Sequence, residues 1–176
     1  MASRRKTWRE KLADSKDFPR VETIPEGMAR KWGEGTIVIP APYEVDELMR
    51  QVRRGKLTTI NDIREAVAKR HGATIGCPIV VGILARTAAG AAGEDLADGK
   101  KRITPYWRTL KAKGELNPKY PGGIEDQVAR LEDEGHEVFQ RGQRYFVVEH
   151  ERYLAKLDPA KTKGKAKTTK KKTAKK

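Results

Sequence analysis

Gly55-Lys56-Leu57-Thr58-Thr59-Ile60-Asn61-Asp62-Ile63 decides the fold. Either threonine can act as the N-cap of a helix, and Asp62 then falls in the first turn, where an acid suits the helix dipole. Ile63, Ala66 and Val67 form the inner face of this helix, and His71-Gly72 stops it. After the short link 73–76 a third, apolar helix opens at Cys77-Pro78, since proline is favoured in a first turn. Ile79, Val80, Ile83 and Leu84 are expected to pack it, and the apolar run continues through residues 85–92. Upstream, Val45, Leu48, Met49 and Val52 recur at i, i+3, i+4 and i+7, which puts them on one face of a helix over 43–53, and Gly55 ends it. Two short helices, a turn near glycine and a third helix predict a helix-turn-helix arrangement.

Residues 1–35 are polar, with Arg4, Arg5, Lys6, Arg9 and Lys11 around Trp8, and read as an arm with a partial helix over 7–15. The β-branched run 35–40, closed by Pro40, reads as an edge strand or a docked extended segment. Residues 93–102 read as a loop ending in Lys100-Lys101-Arg102, and 103–110 as extended structure. A glycine-rich loop then leads to a helix over 124–134 that Gly135 caps. Two β-rich runs flank Arg141-Gly142-Gln143-Arg144, a hairpin pattern that could serve as a wing. The expected fold is α+β and mainly helical, of winged helix-turn-helix type. Its expected organisation is a basic arm over 1–35, a folded domain over 36–155 and a lysine-rich tail over 156–176.

Composition narrows the function classes. The chain has 176 residues, a formal charge of +14 and 35% charged residues. Its mean hydropathy is −0.76. The longest apolar stretch, 79–85, is far too short to span a bilayer, so no membrane role is expected. No secretory signal pattern opens the sequence, and its one cysteine, Cys77, makes neither an internal disulfide nor a cysteine-rich zinc site. A cytoplasmic, nucleoid-associated location follows as an expectation. Nine of the 38 basic residues, among them Lys170, Lys171 and Lys172, fall in residues 161–176 with no acid. Such a tail is expected to be disordered and to contact a polyanion through salt-sensitive phosphate contacts.

The order of motifs resembles the DNA-binding domain of methylguanine-DNA methyltransferases, especially their non-catalytic alkyltransferase-like relatives. Residues 55–63 are similar to Gly-x-Val-Thr-Thr-Tyr-Gly-Asp-Ile, and Pro105-Tyr106-Trp107-Arg108 occupies the place of Pro-Cys-His-Arg. Gly114-Glu115-Leu116, Tyr120-Pro121-Gly122-Gly123-Ile124-Glu125 and the close from Leu131 to Gly135 follow in order. The resemblance implies a recognition helix in the minor groove. It also implies a cysteine that takes the alkyl group from guanine O6, with histidine and glutamate relaying a proton.

The departures fall on the chemistry. Tyr106 stands at the cysteine position and Trp107 at the histidine position, while Glu134 keeps the glutamate position. A phenol of ordinary pKa, about 10, is a poor replacement for a thiolate. No enzyme activity, catalytic residue, cofactor or metal is therefore expected. Cys77, at a helix start, is read as a buried or capping thiol, and His71, His136 and His150 have no metal-ligand spacing. Ile60 replaces the tyrosine that helps rotate the phosphate, and Pro78 or Ile79 stands where the family wedges an arginine. An apolar wedge can itself unstack bases in the minor groove. Tyr106, Trp107 and Tyr120 either line an aromatic pocket for an extruded base, or Tyr106 and Trp107 fill the old pocket and close it; the two accounts are equally simple, and the filled pocket is the favoured expectation.

The remaining candidate contacts are Lys56, Thr58, Thr59, Asn61 and Arg64 near the second helix start, Arg86 along the third, and Lys101, Arg102 and Arg108 beyond it. Helix starts of this kind commonly meet phosphates. The expected function is non-enzymatic binding of double-stranded DNA in an architectural role. An alkylguanine damage sensor and an RNA-binding accessory protein are the alternatives.

Overall fold

A computed structural model of the protein describes residues 3–161. Its centre is a packed trio of helices: α3 (Pro42–Arg50), α4 (Ile60–His71) and α5 (Pro78–Ala97). Each forms where local chemistry and periodicity agree. In α4 the Thr59 hydroxyl accepts from the Asp62 N–H at 3.2 Å, and the Asp62 carboxylate accepts from the Thr59 N–H at 2.9 Å. This reciprocal cap satisfies donors that a bare helix start leaves open. Gly72, at φ +62°, closes the other end in the left-handed conformation that favours glycine. Val45, Leu48 and Met49 of α3 are fully buried, as are Ile63 and Val67 of α4.

The third helix departs from expectation. It buries Val81, Ala85, Ala88, Ala89 and Ala92, spaced i, i+4, i+7, i+8 and i+11, while Ile79 and Ile83 stay 60% and 57% exposed. Apolar residues surround its first turns, so periodicity alone could not select the buried face. The alanine stripe wins because small side chains let α5 approach its neighbours closely. The helix also runs to Ala97, so residues 93–97 belong to it rather than to a loop.

Residues 3–35 are integral to the fold. β1 (Arg20–Thr23) pairs antiparallel with β2 (Thr36–Ile39), with Val21 opposite Val38, and α2 (Glu26–Trp32) lies between them in sequence. β4 (Ile75–Gly76) pairs parallel with the other side of β2. β2 is thus the centre of a three-stranded sheet and not an edge, consistent with the burial of Ile37 and Val38. α1 (Trp8–Ala13) packs on α5, with a capping box between Thr7 and Glu10.

Residues expected to be extended after α5 instead form a 3-10 turn, Tyr106–Arg108, before β5 (Thr109–Leu110), which pairs parallel with β3 (Thr58–Thr59). α6 (Gly123–Asp133) and the hairpin β6 (Val138–Arg141) and β7 (Arg144–Val147) enclose a second core of Leu57, Leu110, Leu116, Leu131 and Val147. The start of the expected tail is pinned to the body. Asp158 N–H donates to the Gln51 side chain at 2.8 Å, and Arg70 Nε donates to the Pro159 carbonyl at 2.7 Å. Lys170, Lys171 and Lys172 lie outside the described residues. The architecture is mixed α+β, and among the described residues no helix is long and apolar enough to cross a membrane.

Candidate nucleic-acid interface

At 100° per residue, Ile79, Ile83, Arg86, Gly90 and Ala97 fall along one side of α5, flanked by Gly93 and Glu94. The two ends of this stripe have different fates. Ile79 and Ile83 project into solvent at i and i+4, and Arg86 follows one turn on, also exposed. Covering each isoleucine would return on the order of 1 kcal/mol.

Farther along the stripe, α1 lies across the helix. The Trp8 indole rests on Gly90 so closely that a Cβ there would come within 2.4 Å of the ring, which explains a glycine inside a long helix. The Glu94 carboxylate accepts the backbone N–H groups of Trp8 and Arg9 at 2.8 and 3.0 Å, supplying partners for donors at the start of α1. Arg86 and Lys11 both approach the Trp8 ring, at 5.4 and 4.3 Å from its centroid, within cation–π range. Between this junction and the loop carrying Lys119 and Pro121 is an open recess of about 380 Å³, with Gly90 and Gly93 in its wall. Its size is within the range of small-ligand sites.

A closed polar network surrounds the Tyr106–Arg108 turn. Tyr106 is 1% exposed, and its hydroxyl donates to Asp126 Oδ2 at 3.1 Å. Burial pushes the phenol up to about 12; Asp126 adds to the shift and Arg130 opposes it. Trp107 and Tyr120 pack edge-on against Tyr106, with centroids 5.3 and 5.9 Å away. Tyr120 is itself buried, and burial pushes its phenol up as well. The three rings fill the space between them.

Beneath them, Glu134 accepts from Trp107 Nε1 at 3.0 Å, from Arg108 Nη2 at 2.6 Å and from the Gly55 N–H at 3.2 Å. Burial opposes ionisation of this carboxyl, but the hydrogen bonds from Arg108, Trp107 and Gly55 outweigh it and hold the group below its ordinary range. Arg108 also donates to the Val52 carbonyl at 2.7 Å. Glu134 therefore positions the indole and the guanidinium, a role that the resemblance does not convey, because both partners differ from a histidine relay.

The expected contact residues divide. Lys56, Asn61, Ile79, Arg86, Lys101 and Arg102 are exposed, and Pro78 is half-buried at the start of α5. Arg64 is half-buried and donates to the Gly76 carbonyl at 3.2 Å, bracing α4 against β4. Thr58, Thr59 and Arg108 turn inward instead of facing a phosphate: the two threonines are buried in β3, Thr59 is spent on the cap of α4, and Arg108 is held by Glu134. Cys77 precedes α5 and is buried beside Ile24 and Ile37. Among the described residues no cluster of three or more His, Cys, Asp or Glu side chains could hold a metal ion. Sequence reading missed Trp8 as part of this surface. Its signal was a lone tryptophan among charges, together with the small-residue run 88–93 that invites a close approach.

No family model matches the sequence, and no curated protein matches it significantly. Among solved structures, the chain is similar to S. pombe Atl1 in complex with damaged DNA containing O6-carboxymethylguanine, with 20% identity and a TM-score of 0.46 over 65% of this chain and 94% of that one. It is also similar to S. pombe ATL in complex with DNA, with 20% identity and a TM-score of 0.45 over the same shares of the two chains.

Proposed function

We propose that the protein binds duplex DNA through the open stripe of α5 without altering it chemically, and that it reads a modified base rather than serving a purely architectural role. The observation that carries DNA binding is the run Ile79, Ile83 and Arg86, an exposed apolar wedge next to a cation on a helix whose opposite face is locked into the core. Minor-groove proteins use apolar wedges to unstack base steps, with cations nearby to meet phosphates or the groove floor. Alkyl transfer is disfavoured because the acceptor position holds a buried phenol bonded to a carboxylate. The lysine tail, including Lys170, Lys171 and Lys172, adds salt-sensitive affinity in this reading, and the protein resides with the cell's DNA.

The recess beside α5 favours base reading over bulk packaging. Trp8 offers a stacking wall, Gly90 and Gly93 leave room, and Arg86 and Lys119 supply positive charge. A protein that only coats DNA needs a cationic face and a wedge, but not a recess walled by an aromatic ring. The test is fluorescence anisotropy of the full chain on duplexes with and without one O6-alkylguanine, and on RNA of equal length, across salt, with mass spectrometry of the protein afterwards. At least tenfold tighter binding to the modified duplex, with no mass gain, is expected. Equal affinity for the two duplexes overturns base reading and leaves the architectural role. A preference for RNA overturns the DNA assignment, and a gain of the alkyl mass overturns the non-enzymatic one.

A further inference from the structure

The hairpin β6–β7 has two unlike faces. The register sets Val138 opposite Val147, Phe139 opposite Phe146, Gln140 opposite Tyr145 and Arg141 opposite Arg144. Val138, Tyr145 and Val147 face inward and pack against the leucine core of α6 and β5. The alternate residues, Phe139, Arg141, Arg144 and Phe146, therefore share the outward face.

That face is costly for a protein on its own. Phe139 is 45% exposed, and its ring stacks on Phe146 with centroids 5.5 Å apart and planes 20° from parallel. Arg141 and Arg144 are both exposed and directly opposite each other, an arrangement in which like charges repel. Among the described residues only one carboxylate comes within 4 Å of them: Glu115 Oε1 is 3.8 Å from Arg144 Nε and also 3.5 Å from Lys111 Nζ. Glu137 precedes β6 at the root of the hairpin. An anionic partner with apolar flat surfaces would turn both penalties into attraction. Nucleic acid has that chemistry, with a phosphate at every step beside sugar and base surfaces that aromatic rings can cover.

We infer that the outward face of β6–β7 is a second DNA contact, in which Arg141 and Arg144 take backbone phosphates and the Phe139–Phe146 pair covers an adjoining sugar or base edge. The inference rests on the DNA-binding reading of α5. The hairpin stands on the second core and α5 on the first, so the two contacts are separable by mutation.

The experiment compares the full chain with Arg141→Gln/Arg144→Gln, Arg141→Lys/Arg144→Lys and Phe139→Ser on one plain duplex from 50 to 400 mM salt, with thermal melts of each protein. Loss of two phosphate contacts reduces the slope of log K against log salt by about 2. The glutamine pair is therefore expected to show that drop, at least tenfold weaker binding at low salt and an unchanged or higher melting temperature. The lysine pair keeps the slope, and Phe139→Ser weakens binding about threefold without changing it. Wild-type affinity and slope in the glutamine pair overturn the hairpin contact alone. Failure of the unmodified protein to bind any duplex overturns the α5 reading and this one together.

Discussion

The neighbourhood of Tyr106 and the exposed stripe of α5 treat their polar and apolar groups in opposite ways. Around Tyr106, aromatic rings fill the space and Glu134 collects donors from three residues. Along α5, two isoleucines are left to solvent on a helix whose other face packs tightly. The contrast teaches that the region joining Tyr106 to Glu134 is a structural joint, whereas the exposed stripe of α5 is a surface that folding does not need.

Breaking the joint should have the largest effect. Glu134→Ala leaves Arg108 buried without its partner, and removing one member of a buried pair costs about 3–5 kcal/mol. Urea denaturation measures this loss, and DNA affinity per folded molecule should stay unchanged. The carboxyl of Glu134 is held below its ordinary range, so its contribution is present above the unfolded carboxylate pKa, about 4.3, and is lost as pH falls through the lower folded value.

Trp8→Ala tests where the two regions meet, because it removes a half-buried ring from the recess wall and from Gly90. A loss of about 2 kcal/mol is expected by denaturation, from the apolar area it uncovers. Binding to a modified duplex should weaken more than binding to a plain one, as paired anisotropy titrations would show. Equal weakening would assign Trp8 to folding alone.

The smallest effect should come from His136, which is 5% exposed, packs edge-on against Tyr153 and finds no hydrogen-bond partner for either ring nitrogen among the described residues. Burial lowers its pKa, with Glu134 opposing and Arg108 reinforcing the shift. The unfolded chain therefore binds the proton more readily, and stability should fall as pH drops below about 6.5. His136→Phe should flatten stability between pH 5 and 7 without lowering it at pH 8, as thermal melts across pH would report.

Much of the helical core was legible because local signals agreed with burial. Thr59 with Asp62, His71-Gly72, Cys77-Pro78 and the spacing of Val45, Leu48, Met49 and Val52 fix where α3, α4 and α5 begin and how the first two face the core. The orientation of α5 was not legible, since isoleucine and alanine stripes compete and only close packing chooses between them. β1 and α2 were missed because their side chains are mostly exposed and polar, and β1 is held by backbone pairing to β2. The pairing of β3 with β5 joins residues about 50 apart, and no local pattern encodes it. For the site, Pro105-Tyr106-Trp107-Arg108 showed that this turn holds neither a cysteine nor a histidine, but the inward turn of Arg108 depends on Glu134, which α6 brings alongside. Trp8 reaches α5 across some 80 residues, so its part in the recess became visible only in three dimensions.

The most direct measurement is the affinity of Ile79→Glu/Ile83→Glu for the duplex that the unmodified protein binds, taken with a thermal melt. Both side chains are exposed, so the melt should hardly move. If α5 enters the groove, two carboxylates there meet phosphates, and affinity should fall at least tenfold. Unchanged affinity with an unchanged melt would show that DNA, if bound, is held elsewhere.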